Sequence, residues 1–553
     1  MEVLKIDLTS EKIIPSRLPE EYSEYFGGKG IATKLLLDIP ARIDPFSPEN
    51  VLIFATGPLN GITLSGASRL TCHFKSPMTG GYGESQCGGY IAHELKKAGT
   101  DILLIKGKAN LPVYVYIEDG NAEIIDASDL WGKDAFETED YLKERHGGEI
   151  LSIGQAGENL VRYACISHRK GRQFGRGGAG AVMGSKNLKA IVVKGSKKQK
   201  QEVAFPEELK EFRKWMLDAV KKTHVSLSKY GTPGIMSLTN EAGVLPTRYW
   251  EKGSFSEVEK INAEALQKYV KKHTSCYGCT VACGIIVKTE NAEVEGPEYE
   301  TLYALGSLCE NSNLEDLIKA AELCDRYGID TITTGNVIAY LMALSESGLR
   351  YAEFGDSQKI IELIHKIAFR EGIGYLLGEG VRRVAESLGS EKEPVHVRGL
   401  EPPGYDPRGL FGMALAYAVS PRGACHMRSC AYRPNLTGKV DRLSPEGQAA
   451  LVKDLEDFYA VVDSMVLCRF LCLPVIGPIY WGELAKLYRI VTGEEVTVDE
   501  LKKAGERIVN LTREFNLREG ASEDGLPRIF VRVLGENFEK MLDEYYSLRG
   551  WKS

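Results

Sequence analysis

The spacing of apolar residues changes once along the chain, near residue 200, and that change limits the fold more than any other feature. Before it, apolar runs are short and lie between glycine turns: VLIFA at 51–55, DILLI at 101–105, VYVYI at 113–117 and KAIVV at 189–193. Short β-branched and aromatic runs bounded by turn residues read as strands. A charged stretch, SKKQKQEV at 196–203, separates the two regimes. Beyond Pro206 the spacing becomes three and four, which predicts helices. They fall at 207–222, 314–327, 333–347, 358–371 and 375–388, then at 445–467, 480–492, 498–517 and 527–546. A loop rich in glycine and proline, 398–409, divides the two helical sets. The expected class is α+β: a β-rich domain over 1–204, a helical domain over 205–400 and a second over 401–553.

Charge and composition narrow the function. Sixty-nine basic against seventy-six acidic side chains give a net charge of −7, which argues against a nucleic-acid footprint. Without 18 consecutive apolar residues there is no membrane-spanning helix. The N-terminus has neither the basic nor the apolar region of a signal peptide, so the cytoplasm is the expected compartment. Glycine is in excess, 58 of 553 residues, as expected where backbone approaches a ligand closely. Twelve cysteines in a reducing compartment point to metal or catalysis before disulfides.

Three of those cysteines form C-x2-C-x3-C in CYGCTVAC: Cys276, Cys279 and Cys283. Three thiolates within eight residues can face one iron–sulfur cube, which takes a fourth ligand; Cys309, Cys324, Cys468 and Cys472 are candidates. Zinc is the alternative, but its ligands usually come as pairs, so the spacing favours iron–sulfur. A longer repeat joins this set. DRYGID (325–330) and DSMVLC (463–468) end two predicted helices with an aspartate five residues before a polar ligand-type residue. Placed about a shared ligand, Asp325 and Asp463 become equivalent acceptors and Cys468 the fourth thiolate.

Glycine loops supply a third element. SGASR (65–69), SPMTGG (76–81) and SQCGG (85–89) precede a helix predicted at 90–98, and GRGGAGAVMGSK spans 175–186. Backbone N–H groups free of side chains make anion sites. Neither loop fits the P-loop or dinucleotide pattern. Beside a cluster motif they favour a phosphate-bearing cofactor.

Together SGASR, KSPMTGG, RGGAGAVMGSKNLKAI, CYGCTVAC, GPEYETL, DRYGID, YDPRG, RGACH and DSMVLC occur in the order that resembles the tungsten-containing aldehyde:ferredoxin oxidoreductase family. The resemblance runs to about residue 473. It implies a β-rich base domain carrying a bis-pterin cofactor, covered by two helical domains related by a pseudo-twofold. It implies that Arg69, the turn Gln86, Cys87, Gly88 and Gly89, and the turn Arg176, Gly177 and Gly178 hold the pterin phosphates and a bridging Mg²⁺. Asp325, Ile329, Asp330, Asp463 and Leu467 fall where the family meets the two pterins. Cys276, Cys279, Cys283 and Cys468 fall on the [4Fe–4S] ligands, and Glu300, Tyr405 and His426 on the metal pocket. Gln86 stands where asparagine is usual, and Val466 replaces a glycine. The absence of E-x-x-H near 319–322 predicts that the intersubunit metal site of some members is missing.

The implied reaction is oxidation of an aldehyde to a carboxylic acid, with water as the oxygen source and a tungsten or molybdenum bis-molybdopterin as cofactor. Electrons would leave through the cluster to ferredoxin or an iron–sulfur partner subunit, in a homodimer or a hetero-complex. Two rivals remain open: reduction of an aromatic acyl thioester by the same cofactor, and a zinc-stabilised, non-redox anion-binding protein.

Overall fold

The computed structural model describes residues 1–196, 202–346, 348 and 351–552, so most of the charged stretch 196–203 and the predicted helix end at Ser347 lie outside the described residues. The first six strands are β1 (Glu2–Asp7), β2 (Lys12–Arg17), β3 (Leu52–Ala55), β4 (Leu70–Lys75), β5 (Tyr82–Cys87) and β6 (Ile102–Lys106). They form one mixed sheet in the order β2-β1-β6-β3-β4-β5, with β1 and β6 parallel. The next six are β7 (Val113–Glu118), β8 (Asn121–Asp126), β9 (Glu149–Ser152), β10 (Ile166–His168), β11 (Arg172–Phe174) and β12 (Leu188–Lys194). Their order is β11-β10-β9-β12-β7-β8, with β7 and β12 parallel.

The uninterrupted apolar run in β3 has a direct cause. Successive side chains of a strand face opposite ways. Leu52 and Phe54 enter a core shared with the second sheet, where Phe54 meets Phe174 edge-on at 5.7 Å. Ile53 and Ala55 enter a different core with Ile31 and Leu36 of the helix Gly28–Leu36 and with Ile508 and Phe515 of the helix Val498–Glu519. Both faces are buried, so no polar alternation remains. The last long helix therefore returns to pack on the N-terminal sheet.

The α+β reading holds, with a helical remainder after residue 205. Helices at Pro206–Thr223, Leu314–Tyr327, Thr331–Glu346, Ser357–Phe369, Gln448–Met465, Trp481–Thr492 and Val498–Glu519 follow the three-and-four spacing. Two expected helices are broken. The stretch 375–388 divides into Ile373–Leu377 and Val381–Leu388, and 527–546 into Arg528–Leu534 and Glu536–Arg549, each at glycine. A third sheet went unread: β13 (Val270–Thr274), β14 (Gly284–Lys288) and β15 (Glu293–Glu295). Its first hairpin holds CYGCTVAC as the connecting loop, which fixes both ends of the cysteine motif. Among the described residues no helix is long and apolar enough to cross a membrane.

Candidate active site

A cavity of about 600 Å³ lies between the β-rich part and the helices. Of the expected site residues it gathers Arg69, Gln86, Gly88, Arg176, Cys283, Glu300, Asp325, Ile329, Asp330, Tyr405 and His426. Asp463, Leu467, Cys87, Gly89, Gly177, Gly178 and the thiols of Cys276, Cys279 and Cys468 are not in its wall.

The cysteines sort themselves by exposure. All twelve are free, and eight are buried; the four half-buried ones are Cys276, Cys279, Cys283 and Cys468. Glycines of the N-terminal loops make room for them. Gly66 has φ +81, and a Cβ there would stand 3.1 Å from Cys468 Cβ and 2.5 Å from Leu471 Cδ1. Its carbonyl accepts the Cys468 N–H at 2.9 Å. A Cβ on Gly88 would lie 2.8 Å from Cys276 Sγ, which accepts the Gly89 N–H at 3.2 Å. Ser65 Oγ accepts the Thr280 N–H at 3.0 Å, tying SGASR to the cysteine loop. These glycine loops thus seat the thiols, a role that sequence reading assigned only to phosphate. Burial and then the charge of Cys468 push the Cys279 thiol up to about 11 and Cys283 well above its ordinary value. Such a group ionises together only beside compensating positive charge. Arg172 is near: it pairs with Glu295, lines the cavity, and feels Cys276 and Cys283. Nothing in the sequence singled it out. Among the described residues no three His, Cys, Asp or Glu side chains are arranged to hold a single metal ion.

The polar wall is built from paired groups. Arg69 donates to the Gln86 carbonyl at 3.1 Å and to its Oε1 at 3.3 Å, and Gln86 Nε2 is buried with no partner. Arg176 donates through Nε to Asp330 at 3.0 Å, and its other nitrogens reach the carbonyls of Glu401 (2.9 Å) and Ala424 (3.3 Å). The Arg176 fork is therefore engaged by protein. Asp330 also accepts from Thr333 Oγ1 and from the Ile332 N–H, both at 3.0 Å. Asp325 Oδ1 accepts from Gln173 Nε2 at 3.1 Å, and burial holds its carboxyl well above the ordinary range.

Opposite stands the group read from GPEYETL, YDPRG and RGACH. Glu300 belongs to the helix Tyr299–Leu305, and its Oε2 accepts the Gly404 N–H at 2.8 Å. Its Oε1 is 3.6 Å from His426 Nε2. Burial raises Glu300 to about 8 and lowers His426 well below 6.5, so near neutrality the pair is largely an acid and a neutral imidazole. Glu300 Oε1 and His426 Nδ1 are both buried without a hydrogen-bond partner. Tyr405 lies 5.6 Å from His426 ring to ring and stacks on Tyr432 at 4.1 Å. The loop that presents Gly404 and Tyr405 is held by three buried tyrosines, which sequence reading missed. Tyr303 donates to the Pro402 carbonyl at 3.1 Å, Tyr417 to Pro403 at 3.1 Å and Tyr405 at 3.0 Å, and Tyr299 to Gly404.

The second aspartate motif is placed differently. Asp463 is fully buried and bonds Arg469 through both oxygens, with Arg428 3.7 Å away. It does not mirror Asp325 on the cavity. Cys87 is buried at the end of β5 with its thiol on the Gly88 carbonyl, 3.2 Å away.

Two family models cover the chain: aldehyde ferredoxin oxidoreductase, N-terminal domain, over residues 3–195, and domains 2 and 3 of the same enzyme over 208–553. The chain belongs to this family. It is 38% identical to the tungsten-containing aldehyde ferredoxin oxidoreductase of Pyrococcus horikoshii, over 100% of this chain and 96% of that protein. It is 30% identical to the WOR-like subunit of the aliphatic sulfonate oxidoreductase of Pyrococcus furiosus, over 93% and 85%. Among solved structures it resembles the active-site complex BamBC of benzoyl coenzyme A reductase with 1,5-dienoyl-CoA. That match has a TM-score of 0.88 at 27% identity, over 100% of this chain and 94% of that one. Membership makes this chain an oxidoreductase and removes the reading as a non-redox zinc protein.

Proposed function

We propose that this chain is a tungsten–pterin oxidoreductase that converts an aldehyde to its carboxylic acid. The products are the acid, two protons and two electrons, with water giving the oxygen. One observation carries the reading: Glu300, Tyr405 and His426 meet in one cavity with the Arg69–Gln86 and Arg176–Asp330 wall and the thiol of Cys283. The orphaned Gln86 Nε2, Glu300 Oε1 and His426 Nδ1, and the four half-buried thiols, fit a pterin cofactor and a cluster. When bound, that cofactor would supply the two-electron redox chemistry.

The protein's own tasks follow from the contacts. Arg69, Gln86 and the backbone of Gly88 and Gly89 receive the phosphates and their magnesium, joined by the turn at Gly177 and Gly178. Arg176 positions Asp330 through Nε, its other nitrogens being held by the Glu401 and Ala424 carbonyls. Asp325, Asp330 and the neighbouring Ile329 face the pterin amines; Leu467 and Asp463, the latter through Arg469, brace the other side. Cys276, Cys279, Cys283 and Cys468 would hold the [4Fe–4S] cluster through their thiolates. In its ionised form Glu300 takes the proton of water at Oε1, and His426 and Tyr405 hydrogen-bond the substrate oxygen. Electrons pass to ferredoxin or an iron–sulfur partner subunit. The names of the aldehyde ferredoxin oxidoreductase relatives support tungsten over molybdenum.

Anaerobic purification with metal analysis tests this. The expected result is tungsten and about four irons per chain, with aldehyde-dependent reduction of a viologen dye. Zinc without tungsten or iron overturns it. The likeness to the BamBC complex favours one other reading, reduction of an aromatic acyl thioester. Dye-linked oxidation of a dienoyl thioester, with no turnover of aldehydes, would establish that instead.

A further inference from the structure

Besides the polar wall described above, the cavity is lined by the apolar side chains of Leu227, Ile235, Leu238, Phe470, Leu473 and Ile476. Four arginines line the whole cavity, and three are accounted for: Arg172 by Glu295, Arg176 by Asp330, and Arg69 by Gln86. Arg433 is different. It is half-buried, its side chain hydrogen-bonds Tyr432, no carboxylate is among the charges acting on it, and its buried Nε has no acceptor among the described residues. Its guanidinium carbon is 5.6 Å from the centre of the Tyr432 ring. Tyr432 stacks on Tyr405, and Tyr405 neighbours His426, so Arg433 ends a row of rings that begins at the proposed catalytic pair. A half-buried guanidinium on a cavity wall, with a neutral phenol as its side-chain partner, leaves a positive charge that an anion entering the cavity can meet.

We propose that Arg433 binds an anionic group at the far end of the substrate, so that the preferred substrates are aldehydes carrying a carboxylate. The guanidinium fork matches a carboxylate, and the stacked tyrosines with the apolar lining suit the hydrocarbon between the two ends. This rests on the aldehyde-oxidising function proposed above and names its substrate class.

The test compares 5-oxopentanoate with pentanal on the tungsten-replete enzyme. Wild type should have the higher kcat/KM for 5-oxopentanoate. Arg433→Met should lower the ratio of the two kcat/KM values roughly 10–100-fold, mainly through KM, and Arg433→Lys should restore part of it. Tungsten and iron content should not change. An unchanged ratio overturns the proposal, as does loss of tungsten, which would assign Arg433 to the cofactor. Calorimetric binding of glutarate against pentanoate to wild-type holoenzyme gives a reading free of turnover and of variant folding. Glutarate should bind more tightly, and equal affinity overturns the anion site. If no aldehyde is oxidised but the glutarate preference depends on Arg433, the reaction assignment fails and the anion site stands. If aldehydes are oxidised without that preference, the reverse holds.

Discussion

Two helix ends share a backbone and differ in everything attached to it. The helix Leu314–Tyr327 is capped by Gly328 at φ +71, and Gln448–Met465 by Val466 at φ +58. In each the cap N–H returns to the carbonyl of residue 324 or 462, and the next N–H, of Ile329 or Leu467, returns to the same carbonyl. The repeat between DRYGID and DSMVLC is therefore real at the level of backbone. The side chains part company because of their neighbours. Asp325 has neutral Gln173 and stays open to the cavity, whereas Asp463 has Arg469 six residues on and is consumed by it. A sequence repeat reports how the chain turns; the charges packed around it decide which group remains free for a ligand.

The sharpest way to break the comparison is at its last residue. The first motif ends in Asp330, the second in Cys468. Cys468→Ser should remove iron and abolish electron transfer to an acceptor, whereas Cys472→Ser, at a buried thiol, should keep iron. Iron assays and EPR read the difference, and the opposite pattern would move the fourth ligand to Cys472.

Next in size is proton transfer beside the first motif. Glu300→Gln keeps the hydrogen bond to Gly404 in shape and removes the base, so turnover should fall roughly 10²–10⁴-fold with metals unchanged. Because burial raises Glu300 to about 8, the basic form grows as pH rises. Wild-type turnover should therefore climb through that pH, and the Gln variant should lose the climb. Near-normal turnover in a metal-replete Gln variant would shift the role to His426.

The aspartates themselves come third. Asp463→Asn leaves Arg469 buried without its partner and should cost about 3–5 kcal/mol of stability. Asp325→Asn replaces a carboxyl that burial already keeps largely protonated, so its stability cost should be small and its effect confined to pterin content. Urea unfolding measures both. The acid dependence follows from the signs. Asp463 is held at about 2 against an ordinary 3.8 by Arg469 and its neighbours, despite burial, so its contribution is full near neutrality and is lost as pH falls toward 2. Asp325 is raised, so its burial penalises the fold near neutrality and is relieved as pH drops. Equal losses from the two variants would mean that Arg469 has another partner.

These contrasts mark where sequence suffices. The change of period, the C-x2-C-x3-C spacing and the order of the glycine loops are local patterns, and the α+β architecture follows from them. The hairpin around the cysteines was hidden because VKKHT in β13 is largely exposed and carries no apolar alternation. The helix Gly28–Leu36 was hidden because it is buried almost all round and shows no stripe. The catalytic candidates were readable as motifs, but the tyrosines that pin the 402–405 loop, Arg172 and Arg433 depend on residues far apart in the chain. The Asp463–Arg469 pair lies six residues apart, outside any helical pairing rule, so the motif looked free when it was not.

The smallest effect concerns the caps. A valine in the left-handed region is strained by about 1–3 kcal/mol, and glycine would relieve it. Val466 is nonetheless fully buried, and its Cγ2 occupies space directly over Gly28, where a Cβ would come within 2.4 Å. Val466→Gly therefore exchanges strain for lost burial of about 1.5–3 kcal/mol, and it also frees the unfolded chain. The balance should be a net destabilisation of about 1 kcal/mol. Gly328→Val runs the other way: it adds the strain and brings a Cβ to 3.2 Å from the Cys165 carbonyl oxygen and 3.3 Å from the Gly154 nitrogen. It should cost more than Val466→Gly. Denaturation midpoints of the two variants, with Val466→Ala to separate packing from strain, decide the order. A Val466→Gly protein more stable than wild type would show that strain outweighs the Gly28 contact. Valine at that position would then be tolerated rather than used.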